Sequence, residues 1–206
     1  MPDIAWRAAV SALGGRPVDT DVVARYSEPH RRYHNLVHVR AVARDAVTLV
    51  SLTEREKAEL ILAACAHDVV YDAVPGTDEQ RSADWARGWL ERSNLEAVAD
   101  RVSDLVLATI KHAADPADAV ACALLDADLA ILGSPVEAYD AYVTAVRQEY
   151  AAVADDAWRT GRSRVLSGLL ERDRLFLTAA GRDRWETAAR RNLARELDPL
   201  LTERNA

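Results

Sequence analysis

Glu59 to Tyr71 reads ELILAACAHDVVY. Apolar residues cover nearly every side of a helical wheel in this segment, which marks it as a central, buried helix and not a surface one. Its far end carries the pair His67-Asp68. A charged carboxylate in such surroundings is costly to bury without a partner. A divalent cation is such a partner, and imidazole with carboxylate is an ordinary ligand set for one. Adjacent side chains diverge by about 100° on a helix, so this pair can converge on one point only near a helix end or with an ion between them.

Working outward, a second apolar helix, ALLDADLAIL at 123–132, also contains carboxylates, Asp126 and Asp128. Two apolar helices with unexplained acids, one of them beside a histidine, predict that they face each other across a cation. All five histidines fall between positions 30 and 112. His34 and His38 are four apart and share a face if one helix reaches back that far.

The ordered words YHNLVH, AHDVVY, DEQRSA, TIKH and LDADLAILG resemble a bacterial family of small phosphohydrolases within the HD superfamily, over roughly residues 26–180. The resemblance implies an all-α HD-domain bundle holding one divalent ion on His38, His67, Asp68 and Asp128. Asp126 is the reserve ligand and the expected structural member of its pair. The ion is drawn from Mn, Ni, Co, Mg, Fe or Zn, and the pattern leaves room for a second. The implied reaction is hydrolysis of a phosphate ester, on a nucleotide or other small phosphorylated metabolite, by metal-activated water. Where the family carries Asn before the Glu of the DEQRSA word, this chain has Asp78.

Further roles follow from the same matches. His34 is expected to touch the scissile phosphate, Glu79 or Asp126 to accept the water's proton, and Lys111 with Arg31 or Arg32 to offset phosphoryl charge. Asp68 counts as catalytic as well as ligating. Tyr33 and Tyr71 are expected to wall the pocket. His112 is a phosphate contact or a ligand of a second ion. Each has a plain structural counterpart: a first-turn Glu stabilising its helix, a helix-end His on the dipole, or solvated arginines. His30 reads as loop structure. Arg147, Glu149 and Tyr150 in VRQEY match the family but acquire no chemistry beyond packing and ion pairing. Two other classes stay open, an HD-fold di-iron oxygenase using His34 and His112, and a module that binds metal and nucleotide without turnover.

Composition agrees with a helical globule. Only 8 Gly and 7 Pro interrupt 206 residues rich in Ala, Leu, Arg, Glu and Asp, mostly good helix formers. The net charge of −7 gives no general attraction for polymeric nucleic acid. Cys65 and Cys122 lie in apolar runs and read as reduced, buried thiols. The opening residues resemble no signal peptide, and no stretch approaches a membrane span. A cytoplasmic chain is therefore expected, a homodimer is compatible with the sequence, and Trp85, Trp89, Trp158 and Trp185 read as either core or interface.

The layout predicted is a single domain over 1–206, with a motif-bearing core at about 26–132 and C-terminal helices at 134–200 packed on it. About ten helices are expected: 3–13, 19–26, 35–49 capped by Asn35, 53–71 with a Thr53/Glu56 capping box, 78–92, 94–112 capped by Asn94, 117–132 closed by Gly133, 134–154, 155–171 capped by Asp155, and 178–200. Residues 26–35 and 72–78 read as loops.

Overall fold

The computed structural model describes residues 1–202, and among them there are helices and turns but no strand. In chain order the helices are α1 (Pro2–Ala12), α2 (Val22–Arg25), α3 (Leu36–Ala46), α4 (Glu54–Ala66), α5 (Thr77–Arg92) and α6 (Glu96–Ala108). Then follow α7 (Ala119–Asp128), α8 (Val136–Glu149), α9 (Asp155–Leu170), α10 (Ala179–Gly181) and α11 (Thr187–Thr202). A 3-10 turn, Leu129–Gly133, extends α7, and a π turn, Arg182–Glu186, joins α10 to α11 as one run. No single helix among the described residues is long and apolar enough to cross a membrane.

α4 is the centre. It packs on α1, α3, α5, α6 and α7, and Leu60, Leu62 and every residue from Ala63 to Ala66 have no exposure. Each leucine buried in this way stabilises the fold by roughly 1.5–3 kcal/mol. Its start is set locally: Thr53 accepts from Glu56 N–H while Glu56 accepts from Thr53 N–H, which satisfies two helix-end donors. Asn35 caps α3 by accepting from Val37 N–H at 2.8 Å.

A smaller core gathers Leu132, Tyr139, Leu166, Phe176 and Leu193 from the C-terminal helices. Trp185 packs against both cores. The close approach is made possible by Gly133, where an added Cβ would lie 2.5 Å from Trp185 Cβ and 2.8 Å from its Cα. Both cysteines are buried and free, and burial pushes the Cys65 thiol up to about 12, which keeps it an inert core residue.

Several helix ends differ from expectation, each for a visible reason. α4 stops at Ala66 rather than Tyr71, because the carbonyls of Asp68 and Val69 accept from Arg31 and Val70 N–H donates to Ser82 Oγ. α6 stops at Ala108, short of His112, whose φ of +45° is incompatible with a right-handed helix. Asn94 does not cap α6; its φ of +60° lets it close α5, and Leu95 leads into α6. Asp155 is the first residue of α9, with Ala154 at the cap position. Helix 117–132 is in fact α7 plus the 3-10 turn, with Asp128 at the junction.

Candidate metal centre

Three segments bring four side chains together. His38 stands on the first turn of α3, His67 and Asp68 follow the end of α4, and Asp128 closes α7. His38 Nε2 and His67 Nε2 are 3.0 Å apart. From His38 Nε2 the distances are 3.4 Å to Asp68 Oδ2 and 3.3 Å to Asp128 Oδ1. From His67 Nε2 they are 3.2 and 3.5 Å to the same two atoms. All four ligand atoms lie within 4.8 Å of one another, a group that could hold a metal ion. Donors about 2.1 Å from a common ion are separated by about 3.0 Å at right angles and about 3.4 Å at a tetrahedral angle. The observed spacings match.

The donor chemistry fits too. His67 Nδ1 donates to the Ala64 carbonyl at 2.9 Å, which leaves its Nε2 lone pair aimed at the cluster, the usual arrangement of a ligating imidazole. Two imidazole nitrogens 3.0 Å apart need a cation between them or a proton on one. Burial disfavours charge on His67, but Asp68 and Asp128 outweigh it and hold its pKa well above the ordinary imidazole value. Burial likewise opposes ionisation of both aspartates, yet His67 and the hydrogen bonds from neighbouring histidines hold their carboxyls well below the usual range. The four groups thus form a strongly coupled acid–imidazole cluster into which a dication fits in place of protons.

Asp126, the reserve ligand and candidate base, is absent from this group. Its two oxygens accept from Leu177 N–H, Thr178 N–H and Thr178 Oγ1 at 2.6–2.8 Å. It pins the entry to α10 and is 1% exposed, which removes it as a proton acceptor for water.

Asp68 and Asp128 form part of the wall of a cavity of about 480 Å³. His34, Tyr71, Glu79 and His112 also line it, so these sequence-predicted residues do converge. His112 Nε2 lies 2.9 Å from Asp128 Oδ2, and it holds the ligand's second oxygen. Tyr71 stacks on His34 with ring centroids 4.1 Å apart. Glu79 Oε2 accepts from Gly76 N–H, capping α5 across a glycine with φ of +82°. Asp78 is buried and accepts from the Asp72 and Val74 N–H groups, so it shapes the 72–78 loop.

Three expectations are corrected. Arg31 does not reach a ligand: its side chain is 0% exposed and is spent on Glu28 and on the carbonyls of His34, Asp68 and Val69. Lys111 is exposed and outside the cavity lining. Tyr33 packs between His38 and Tyr142, with centroids 4.8 and 4.7 Å away, and lines a separate recess with Arg32.

The residue whose importance was not legible is Glu149, at the end of α8. Its Oε1 accepts from the N–H groups of Arg32, Tyr33 and His34 at 2.7, 2.8 and 3.0 Å, and its Oε2 lies 2.7 Å from His34 Nδ1. Successive N–H groups of this kind make an anion-binding nest. Burial works against the Glu149 charge, but His34 and these amides prevail and bring its pKa down to about 2. A carboxylate depressed in the fold stabilises it above the unfolded-state value and loses that contribution as pH falls toward the folded value. Stability should therefore drop between about pH 4.5 and 2 through this group. Glu149→Gln, which cannot accept from His34 through its amide nitrogen, should flatten that part of the acid limb. Denaturant titrations at a series of pH values read both, and identical slopes in the two proteins would contradict the assignment.

Comparison with protein-family models, curated proteins and solved structures returns no match.

Proposed function

We propose that this chain is a metal-dependent phosphohydrolase of the HD superfamily. The observation that carries the reading is the convergence of His38, His67, Asp68 and Asp128 beside a cavity. The spacing of the sequence words and the donor geometry support it independently.

When bound, a divalent ion there supplies Lewis acidity toward a phosphoryl oxygen and makes water nucleophilic near neutral pH. The protein's own residues do the rest. His34 Nδ1 is committed to Glu149, so Nε2 is the ring nitrogen left to donate to a phosphoryl or leaving-group oxygen. Tyr71 fixes the plane of that ring by stacking. His112, through Asp128, sets the orientation of a ligand carboxylate. Glu79 lines the cavity as a carboxylate able to orient water, its other duty being the cap of α5.

The test is hydrolysis of phosphomonoesters, nucleotides and cyclic nucleotides by metal-stripped protein resupplied with Mn, Co, Ni, Mg or Fe. Turnover that appears with an ion and disappears in His34→Ala is the expected result, with a loss of about 10²–10⁴-fold in kcat for removal of a general acid. If no ion supports turnover of any of these esters, the phosphohydrolase reading fails. Metal content after aerobic and anaerobic purification separates this reading from a di-iron oxygenase, which requires two irons per chain and oxygen uptake.

A further inference from the structure

The cavity beside the candidate metal centre has a broad apolar and aromatic lining. α8 contributes Tyr142 and Val146, Tyr150 follows directly after it, and α9 contributes Trp158, Gly161 and Val165. These follow helical spacing, so each helix turns one continuous face to the cavity. Tyr150 and Trp158 pack at 5.2 Å between ring centroids, an aromatic wall for a flat group.

Charge tells the same story. Among the described residues, Arg162 is the one arginine or lysine in the lining. Its Nε and Nη2 donate to Glu196 Oε1 and Oε2 at 2.7 and 2.9 Å, so its charge is matched. Four carboxylates line the cavity, Asp68, Asp78, Glu79 and Asp128. A dication on Asp68 and Asp128 offsets those two and no more. Asp78 has Arg81 at 4.0 Å and the Asp72 and Val74 N–H groups as partners, so Glu79 remains, with no unmatched cation in the lining to receive a second anionic group. In a cavity with apolar walls that imbalance is felt strongly.

Resting on the phosphohydrolase reading, we infer that the substrate is an ester of a single phosphate with an uncharged, aromatic or apolar alcohol, and that compounds with a second anionic group are rejected. The phosphate sits against the ion, His34 and His112. The uncharged group lies against Tyr150, Trp158 and the α9 face. Polyphosphates have nowhere to place their additional charge.

Three non-hydrolysable probes isolate the terms: methylphosphonate, phenylphosphonate and 4-carboxyphenylphosphonate, titrated calorimetrically into Mn-loaded protein at low salt. Phenylphosphonate should bind at least tenfold tighter than methylphosphonate, and the carboxylated ring at least tenfold weaker than the plain one. Gly161 supplies the matching variant. A Cβ there would meet nothing within 4 Å, and a non-glycine residue suits a helix interior. Gly161→Leu should therefore fold and fill the cavity, which brings phenylphosphonate affinity down toward that of methylphosphonate. Equal binding of methyl and phenyl probes, or a preference for the carboxylated ring, overturns the inference while the phosphohydrolase reading stands. If no phosphonate binds with any divalent ion, both fall.

Discussion

Asp68→Ala should abolish stoichiometric metal binding: affinity for Mn, Co or Ni is expected to fall by more than about 100-fold, beyond the 10–100-fold typical of losing an outer partner of a ligand. The carboxylate is one of only two anionic donors in the four-residue group. Removing it leaves two imidazoles and Asp128, with the imidazole nitrogens 3.0 Å apart and one fewer charge to offset a dication. The stability readout moves with it. An ion present at about 100 times its Kd stabilises a folded protein by about 2.7 kcal/mol, so the parent should melt higher with metal than with chelator, and the variant should not. Asp126→Asn is the control. Asp126 anchors Leu177 and Thr178 and touches no ligand atom of the group, so its loss should lower stability and leave the metal content of the protein as it was. Elemental analysis after dialysis decides. One ion per chain in Asp68→Ala, held as firmly as in the parent, ends the case for this centre.

His67, Asp68 and Asp128 of the candidate group stood out for an energetic reason, whereas His38 came only from the resemblance of the ordered words to HD proteins. Carboxylates in AACAHDVVY and ALLDADLAIL are improbable without a compensating cation or hydrogen-bond donors, and that improbability is visible in the sequence itself. Asn35 and the Thr53/Glu56 box were legible because a cap involves partners two or three residues apart. The group that could hold an ion contains Asp128 and not Asp126, and Asp126 has the structural duty expected of it. What escaped was long-range. Glu149 grips amides more than 110 positions earlier in the chain, and no local pattern announces that a helix-end glutamate will reach a distant loop. His112 reaches Asp128 because the chain leaves α6 early and turns through positive φ. The word TIKH contains no glycine or proline to signal such a turn. Arg31 stands in a polar loop, EPHRRYHN, where solvated charge is the natural expectation.

Arg31 is instead buried, its side chain 0% exposed, and Arg31→Ala should be among the most destabilising single changes in the chain. Its Nη1 donates to the carbonyls of His34 at 3.0 Å and Asp68 at 2.6 Å, its Nη2 to that of Val69 at 2.9 Å, and its Nε to Glu28 at 3.0 Å. The guanidinium also lies 5.1 Å from the Tyr26 ring centroid and 5.7 Å from that of Tyr71. The carbonyls of 68 and 69 lie just past the end of α4, where a cation is favourable and the helix supplies no donor. Truncation strands these acceptors and leaves Glu28 without its buried partner, which together costs about 3–5 kcal/mol. Lysine does not rescue it, since a single ammonium cannot span the fork. The damage should also reach the metal. Arg31 holds the backbone of Asp68 while Tyr26 Oη accepts from Asp68 N–H at 3.2 Å, so the carboxylate is aimed from behind by both. Chemical denaturation should show the stability loss, and titration of the still-folded variant below its melting range should show divalent-ion affinity lowered by about 10–100-fold. A variant as stable as the parent would mean that the 31–34 loop does not clamp the end of α4, and a destabilised variant with undiminished affinity would separate that clamp from the centre.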